Sequence, residues 1–131
     1  LICDAANLRA VSAALASAKL EQRDFARVLE RAEPGDFVYF DPPYVPVSAT
    51  SSFTAYDKHG FGVEDQRRLA EVFRELDARG VFVMLSNSMT PFVRELYQGF
   101  DIAEVYAARA VNSKADRRGK IAEALVTNFA T

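Results

Sequence analysis

The stretch Asp36-Phe37-Val38-Tyr39-Phe40-Asp41, closed by Pro42-Pro43, constrains the fold more than any other. Four apolar or aromatic β-formers in a row lack the alternation of a half-solvated strand. They predict a strand buried on both faces of a parallel sheet. A parallel neighbour requires a crossover, and the residues that follow supply one. A helix is expected from about Glu64 to Arg79, with Leu69, Val72, Phe73 and Leu76 as its buried stripe and Gly80 as its stop. Val81 to Leu85 then reads as a second apolar strand that ends in the polar Ser86-Asn87-Ser88. Pro91 opens a short helix reaching Tyr97 and stopping at Gly99. The tail reads as two strands, about Ile102 to Ala110 and Ala122 to Phe129, joined by a charged loop. Upstream, Asp4 is placed to cap a helix running to about Ala18, with Leu8, Val11, Leu15 and Ala18 on one face. Leu20 to Arg23 has the makings of a short strand, and Phe25, Val28 and Leu29 mark a helix broken at Pro34-Gly35. The fold class is α/β: a mostly parallel sheet finishing in a C-terminal antiparallel pair.

Composition narrows the function classes. Half of the 131 residues are apolar and 26% are charged, which fits one globular unit and excludes a disordered or collagenous chain. One cysteine, Cys3, and one histidine, His59, leave no disulfide framework and no multi-cysteine or histidine cage for a transition metal. No apolar run is long enough to span a bilayer, so neither a membrane nor a metal is an expected partner, and a reduced cytoplasmic setting is the default. A net charge of −2 argues against nucleic-acid binding by bulk basicity and leaves room for a local basic patch. The chain starts at Leu1 and enters a helix-like pattern at once, so it is expected to be part of a longer protein.

The chemistry concentrates in Asp41-Pro42-Pro43-Tyr44, at the carboxyl end of the expected strand, where open α/β sheets bind ligands. Two prolines fix φ and remove two N–H donors, so only carbonyls remain for main-chain hydrogen bonding. A carboxylate, a proline carbonyl and an aromatic face form a ledge suited to a planar amino group: two acceptors take its N–H bonds while Tyr44 stacks on the attached ring. The plainer alternative is a strand followed by a tight turn, with Asp41 as a local cap and Tyr44 as packing. Asp24-Phe25 has two readings as well, a cofactor-binding pair or a helix N-cap followed by a core residue. Gly60-Phe61-Gly62 lacks both the preceding strand and the third glycine of a nucleotide loop and is not read as one. His59 reads as a solvated or capping side chain. Arg67, Arg68 and Arg74, interleaved with Glu71 and Glu75, read as a solvent face.

Asp-Pro-Pro-Tyr after an apolar strand is similar to the catalytic motif of amino-group methyltransferases that use S-adenosylmethionine. The surroundings resemble the Dam-type DNA adenine-N6 methyltransferases in particular. The resemblance rests on residues 36–46, Ser48-Ala49-Thr50, Phe53-Thr54-Ala55-Tyr56 and Phe61, then Glu64-Asp65-Gln66, Leu85-Ser86-Asn87, and Arg109 followed by Asn112-Ser113. It runs from about Asp24 to Val126 and implies part of a Rossmann-like class I methyltransferase sheet. The implied reaction is methyl transfer from S-adenosylmethionine to adenine N6 of a base flipped out of duplex DNA. Asp41, Pro42, Pro43 and Tyr44 are then catalytic, and Asp24, Phe25 and Asp41 bind the cofactor. Phe53 and Tyr56 are stacking or wedge candidates, with Lys58 near phosphate. Arg109, Asn112, Lys114, Arg117 and Arg118 meet the DNA, although a charged turn of this kind also reads as a solvated loop. A restriction endonuclease is a further partner that the resemblance allows.

An exocyclic amine is a poor nucleophile because its lone pair is delocalised into the ring. Accepting its two N–H bonds at Asp41 and at the Pro42 carbonyl favours tetrahedral character and frees the lone pair for direct transfer. Cytosine-C5 methylation needs a cysteine nucleophile in its motif and is excluded. The glycine-bearing cofactor loop and the target-recognition segment of such enzymes are not seen before Asp41. Residues 1–131 are therefore expected to form the C-terminal part of a catalytic domain. The sheet would lack two central strands between the Leu20 and Asp36 segments, leaving an apolar edge at Phe37–Phe40. A ribosomal-RNA guanine-N2 or other amino-group methyltransferase, or an inactive DNA-binding fragment, are the alternatives.

Overall fold

The computed structural model describes residues 4–47, 60–107 and 121–130. Within them lie helix α1 (Ala5–Ala14), strand β1 (Phe37–Phe40), helix α2 (Val63–Ala78), strand β2 (Phe82–Ser88), helix α3 (Pro91–Leu96) and strands β3 (Asp101–Ala107) and β4 (Ile121–Thr127). The four strands form one sheet in the order β1-β2-β4-β3. β1 and β2 are parallel, with Phe37 opposite Phe82 and Phe40 opposite Leu85. β4 runs antiparallel to both its neighbours, with Val126 opposite Leu85 on one side and Ile102 on the other. This is the expected α/β sheet with its antiparallel pair.

The β1–α2–β2 unit follows from local chemistry. The N-terminus of α2 is closed by the Asp65 carboxylate, which accepts the Gly62 N–H at 2.9 Å. Its C-terminus gives way to Gly80, whose φ of +77° lies in the left-handed region that favours glycine. The carbonyl of Gly80 accepts the Gly35 N–H at 2.9 Å, and the Asp36 carbonyl accepts the Phe82 N–H at 2.8 Å, so both strands start in register. Leu69, Phe73 and Leu76 of α2 pack into one core with Val83 and Leu85 of β2, Val126 of β4, and Val93 and Tyr97 from the α3 region. Phe73 sits edge-on to Tyr97 and Phe100, with ring centroids 5.3 and 4.8 Å away.

Several expectations need correction. β1 is not buried on both faces: Val38 and Phe40 turn towards the core, while Phe37 and Tyr39 are 57% and 51% exposed. That face also carries Phe82, whose ring and that of Phe37 meet Phe129 edge-on. Among the described residues β1 is an edge strand. Residues 20–23 form no strand. Glu21 instead anchors the segment through salt bridges to Lys19, Arg23 and Arg31, with the Lys19 contact the main cause of a carboxyl pKa lowered to about 2. The first α-helix ends at Ala14 and tightens into a 3₁₀ turn at Leu15–Ser17. Its apolar stripe is amphipathic in spacing, yet Leu8, Val11 and Leu15 stay exposed. Phe25–Glu30 is a 3₁₀ helix rather than an α-helix. β2 runs on through Ser86-Asn87-Ser88, all three buried, where the polar residues had been read as its end.

Candidate active site

The chain leaves β1 into Asp41-Pro42-Pro43-Tyr44 directly above the end of β2, and the two neighbouring residues Ser86 and Asn87 grip it. Successive side chains of a strand point to opposite faces. On the exposed face, Ser86 donates its hydroxyl hydrogen to Asp41 Oδ1 at 2.8 Å and accepts the Tyr39 hydroxyl at 2.9 Å. On the α2 face, Asn87 Oδ1 accepts the Val45 N–H at 2.9 Å and the Ser88 N–H at 2.8 Å. Asn87 Nδ2 donates to Gln66 Oε1 at 3.1 Å, and Gln66 Nε2 donates to the Pro43 carbonyl at 2.8 Å. Gln66 and Asn87 are 1% and 0% exposed, so the bonds at Asn87 form away from competing water, while the one to the exposed Pro43 is part-buried. The turn after the strand is thus tied to a helix and a neighbouring strand by side chains whose own partners are satisfied.

What remains free is chemically specific. Pro43 has its carbonyl engaged, whereas among the described residues no donor reaches the Pro42 carbonyl or Asp41 Oδ2. Asp41 is exposed and Pro42 half-buried. The two prolines contribute no N–H that could compete for an approaching donor. Tyr44 is half-buried, its hydroxyl donating to Glu123 Oε2 at 3.3 Å. Burial is the main cause of a phenol pKa pushed above its ordinary value. The nearby Glu123 and Asp41 carboxylates reinforce it and the proximity of the Ser86 hydroxyl opposes it.

Phe25 comes to the same place. Phe25, Phe61, Tyr39, Asp41, Pro42 and Pro43 line one open cleft of about 270 Å³ beside β1, whereas Asp24, next to Phe25 in the chain, does not line that cleft. The Asp24 carboxylate caps the 3₁₀ helix by accepting the Ala26 N–H at 3.0 Å, so the capping role holds. The carboxylate also pairs with Arg68, the contact that chiefly lowers its pKa. The guanidinium carbon of Arg68 lies 4.3 Å from the centroid of the Phe25 ring, and Phe61 packs at 5.8 Å. The arginines of α2 are consequently no plain solvent face: Arg68 holds the cleft segment, and Arg74 donates to the Leu96 carbonyl.

Among the described residues no group of three or more His, Cys, Asp or Glu could hold a metal ion, and no helix is long and apolar enough to cross a membrane. The nucleic-acid candidates Phe53, Tyr56, Lys58, Arg109, Asn112, Lys114, Arg117 and Arg118 lie outside the described residues, as does His59. Sequence reasoning assigned no role to Gln66, Ser86 or Asn87. The signal was that all three fall within the motifs Glu64-Asp65-Gln66 and Leu85-Ser86-Asn87 that carry the family resemblance.

A family model for D12 class N6 adenine-specific DNA methyltransferases matches residues 2–111. The chain belongs to that family. It is 51% identical over 113 residues to the Type II methyltransferase M1.LlaDCHI of Lactococcus lactis subsp. cremoris, covering 86% of this chain and 40% of that protein. It is 47% identical over 130 residues to the Type II methyltransferase M.MjaIII of Methanocaldococcus jannaschii, covering 98% of this chain and 45% of that protein. Against the DNA adenine methylase of Escherichia coli K12, identity is 40% over 101 residues, or 77% of this chain and 36% of the relative. The chain therefore spans less than half the length of these relatives.

Proposed function

We propose that this chain is the C-terminal part of the catalytic domain of a site-specific DNA methyltransferase acting on adenine N6 of a flipped-out base in duplex DNA. The observation that carries the reading is the pair of acceptors that no described donor reaches, Asp41 Oδ2 and the Pro42 carbonyl, on consecutive residues of a braced turn that lines an open cleft with aromatic walls. In this reading they accept the two N–H bonds of the target amine, holding it near tetrahedral with its lone pair free. Tyr44 stacks on the base. As its N–H bonds polarise towards the acceptors, Asp41 offsets the positive charge that grows on the nitrogen.

The cleft also suits S-adenosylmethionine, because an apolar ring wall at Phe25 and Phe61 meets the Asp41 carboxylate within one open space. S-adenosylmethionine, when bound, supplies the methyl group. Asp24 and Phe25 would hold its adenine end, and Asp41 would face its cationic part. Phe53 and Tyr56 are assigned to the flipped base or the gap that it leaves. Lys58, Arg109, Asn112, Lys114, Arg117 and Arg118 are assigned to the DNA. A cytoplasmic setting and pairing with a restriction endonuclease complete the reading, the latter supported by relatives named Type II methyltransferases.

The test is methyl transfer from labelled S-adenosylmethionine by the complete protein to duplex DNA, with ribosomal RNA as the competing substrate. N6-methyladenine in the digested DNA is the expected product. Preferential labelling of guanine in RNA would overturn the assignment.

A further inference from the structure

We infer that Ser86 is a positioning residue for Asp41 and that Tyr39 acts through Ser86. The inference rests on the methyltransferase reading above and adds to it the device that sets the carboxylate. Asp41 follows the last residue of an edge strand and is exposed, so nothing in its own backbone ladder fixes the rotation of its side chain. The Ser86 hydroxyl supplies that constraint. It occupies Oδ1 at 2.8 Å and so turns Oδ2 outward as the oxygen available to a target amine.

A serine hydroxyl has one hydrogen and rotates freely, so alone it offers Asp41 a donor only part of the time. The Tyr39 hydroxyl removes that freedom. By donating to Ser86 Oγ at 2.9 Å it takes a serine lone pair and leaves the serine hydrogen to point at Asp41. The relay runs Tyr39 to Ser86 to Asp41, each hydroxyl donating forward, and bonds in such a chain reinforce one another. Parallel register makes it geometrically natural. Tyr39 lies opposite Met84, so Tyr39 and Ser86 emerge on the same face of the sheet. Ser86 is 6% exposed, which keeps water from substituting for either partner. Tyr39 itself is half-exposed, and a phenol at that position is otherwise an unexplained choice on an apolar strand.

The experiment is steady-state methylation of adenine-containing duplex by the complete protein carrying Ser86→Ala, Ser86→Thr, Tyr39→Phe, or Tyr39→Phe with Ser86→Ala. Misplacing a reacting group costs roughly 10- to 100-fold in rate, and Ser86→Ala is expected to lose that much in kcat with KM for DNA and cofactor little changed. Ser86→Thr, which keeps the hydroxyl, should recover most of the loss. Tyr39→Phe should cost about threefold alone and nothing further in the Ser86→Ala background, because it acts only through the serine. Full kcat in Ser86→Ala overturns the inference, as does an undiminished Tyr39→Phe effect in the double variant. If Ser86→Ala fails to fold, Tyr39→Phe decides by itself, and an unchanged kcat there is the contrary result. Asp41→Ala separates the two levels. Should it retain methylation, the functional reading fails, whereas loss of activity there with full activity in Ser86→Ala rejects the relay alone.

Discussion

Asp41–Pro43 and Phe25 line one cleft, and the segments that carry them are held in opposite ways. The first segment is pinned by Gln66, Ser86 and Asn87, all nearly inaccessible to water. The second is pinned by an exposed ion pair to Arg68 and by that guanidinium lying over the Phe25 ring. Buried bonds with satisfied partners confer rigidity, since breaking one strands a polar group in a place without water. Exposed ion pairs are screened by salt and cost little to open. In the proposed reaction this division is sensible: the acceptors must stand ready for a short-lived charge distribution, whereas a bound small molecule has to enter and leave.

That contrast can be broken in graded steps. Asp41→Ala should abolish methylation by the complete protein, a fall of roughly a hundredfold or more. The fold should persist because the side chain is exposed, and near-wild-type turnover would remove Asp41 from the chemistry. Asn87→Ala is expected to act on stability, leaving the Val45 and Ser88 N–H groups and Gln66 Oε1 without their partner. A loss of about 2–3 kcal/mol in urea unfolding is expected. A smaller loss than that of an ordinary surface variant would mean that water fills the brace. Tyr44→Ala should weaken base engagement by about 1–3 kcal/mol, read from kcat/KM, with Tyr44→Phe much milder because the ring face does the work. Equal damage from the two would shift the role to the hydroxyl that meets Glu123. Arg68→Ala should have the smallest effect, a slight change in melting temperature at low salt that vanishes at high salt. A large, salt-independent change would show that both segments are equally rigid.

The elements that read clearly from sequence were those encoded by neighbours. The α2 stripe has a helical period, Gly80 marks its end, and the proline pair marks the end of β1. The antiparallel tail could likewise be placed from its turn and strand pattern. What escaped depends on contacts across long separations. Ser86-Asn87-Ser88 looked like a polar exit from a strand, and only the arrival of Asp41 and Val45, 45 and 42 residues earlier, makes Ser86 and Asn87 an interior clamp. Arg68 has acidic residues at helical spacing and so resembled surface charge, while its main partner is Asp24, 44 residues away. The opposite error occurred at β1 and α1. Their apolar patterns implied coverage, but Phe37, Tyr39, Leu8 and Val11 meet no burying layer among the described residues. Periodicity states which side wants cover and is silent on what provides it.

The placement of Ser86 and Asn87 on opposite faces of β2 makes this turn unusually sensitive to insertions and deletions. Removing one residue from β2 ahead of this pair, with the rest of the strand keeping its pairing to β4, would exchange the faces of everything on one side of the cut. Where the exchange falls on Ser86 and Asn87, they lose Asp41 and Val45 together, and the one-residue slip that restores both contacts turns the β2 residues ahead of the cut to the wrong face. A two-residue change preserves facing but shifts the clamp by about 7 Å along the strand, beyond hydrogen-bonding reach of either partner. Length variation should therefore be tolerated in the connections around β2 and be almost absent between Phe82 and Asn87, where counting residues matters as much as their identity.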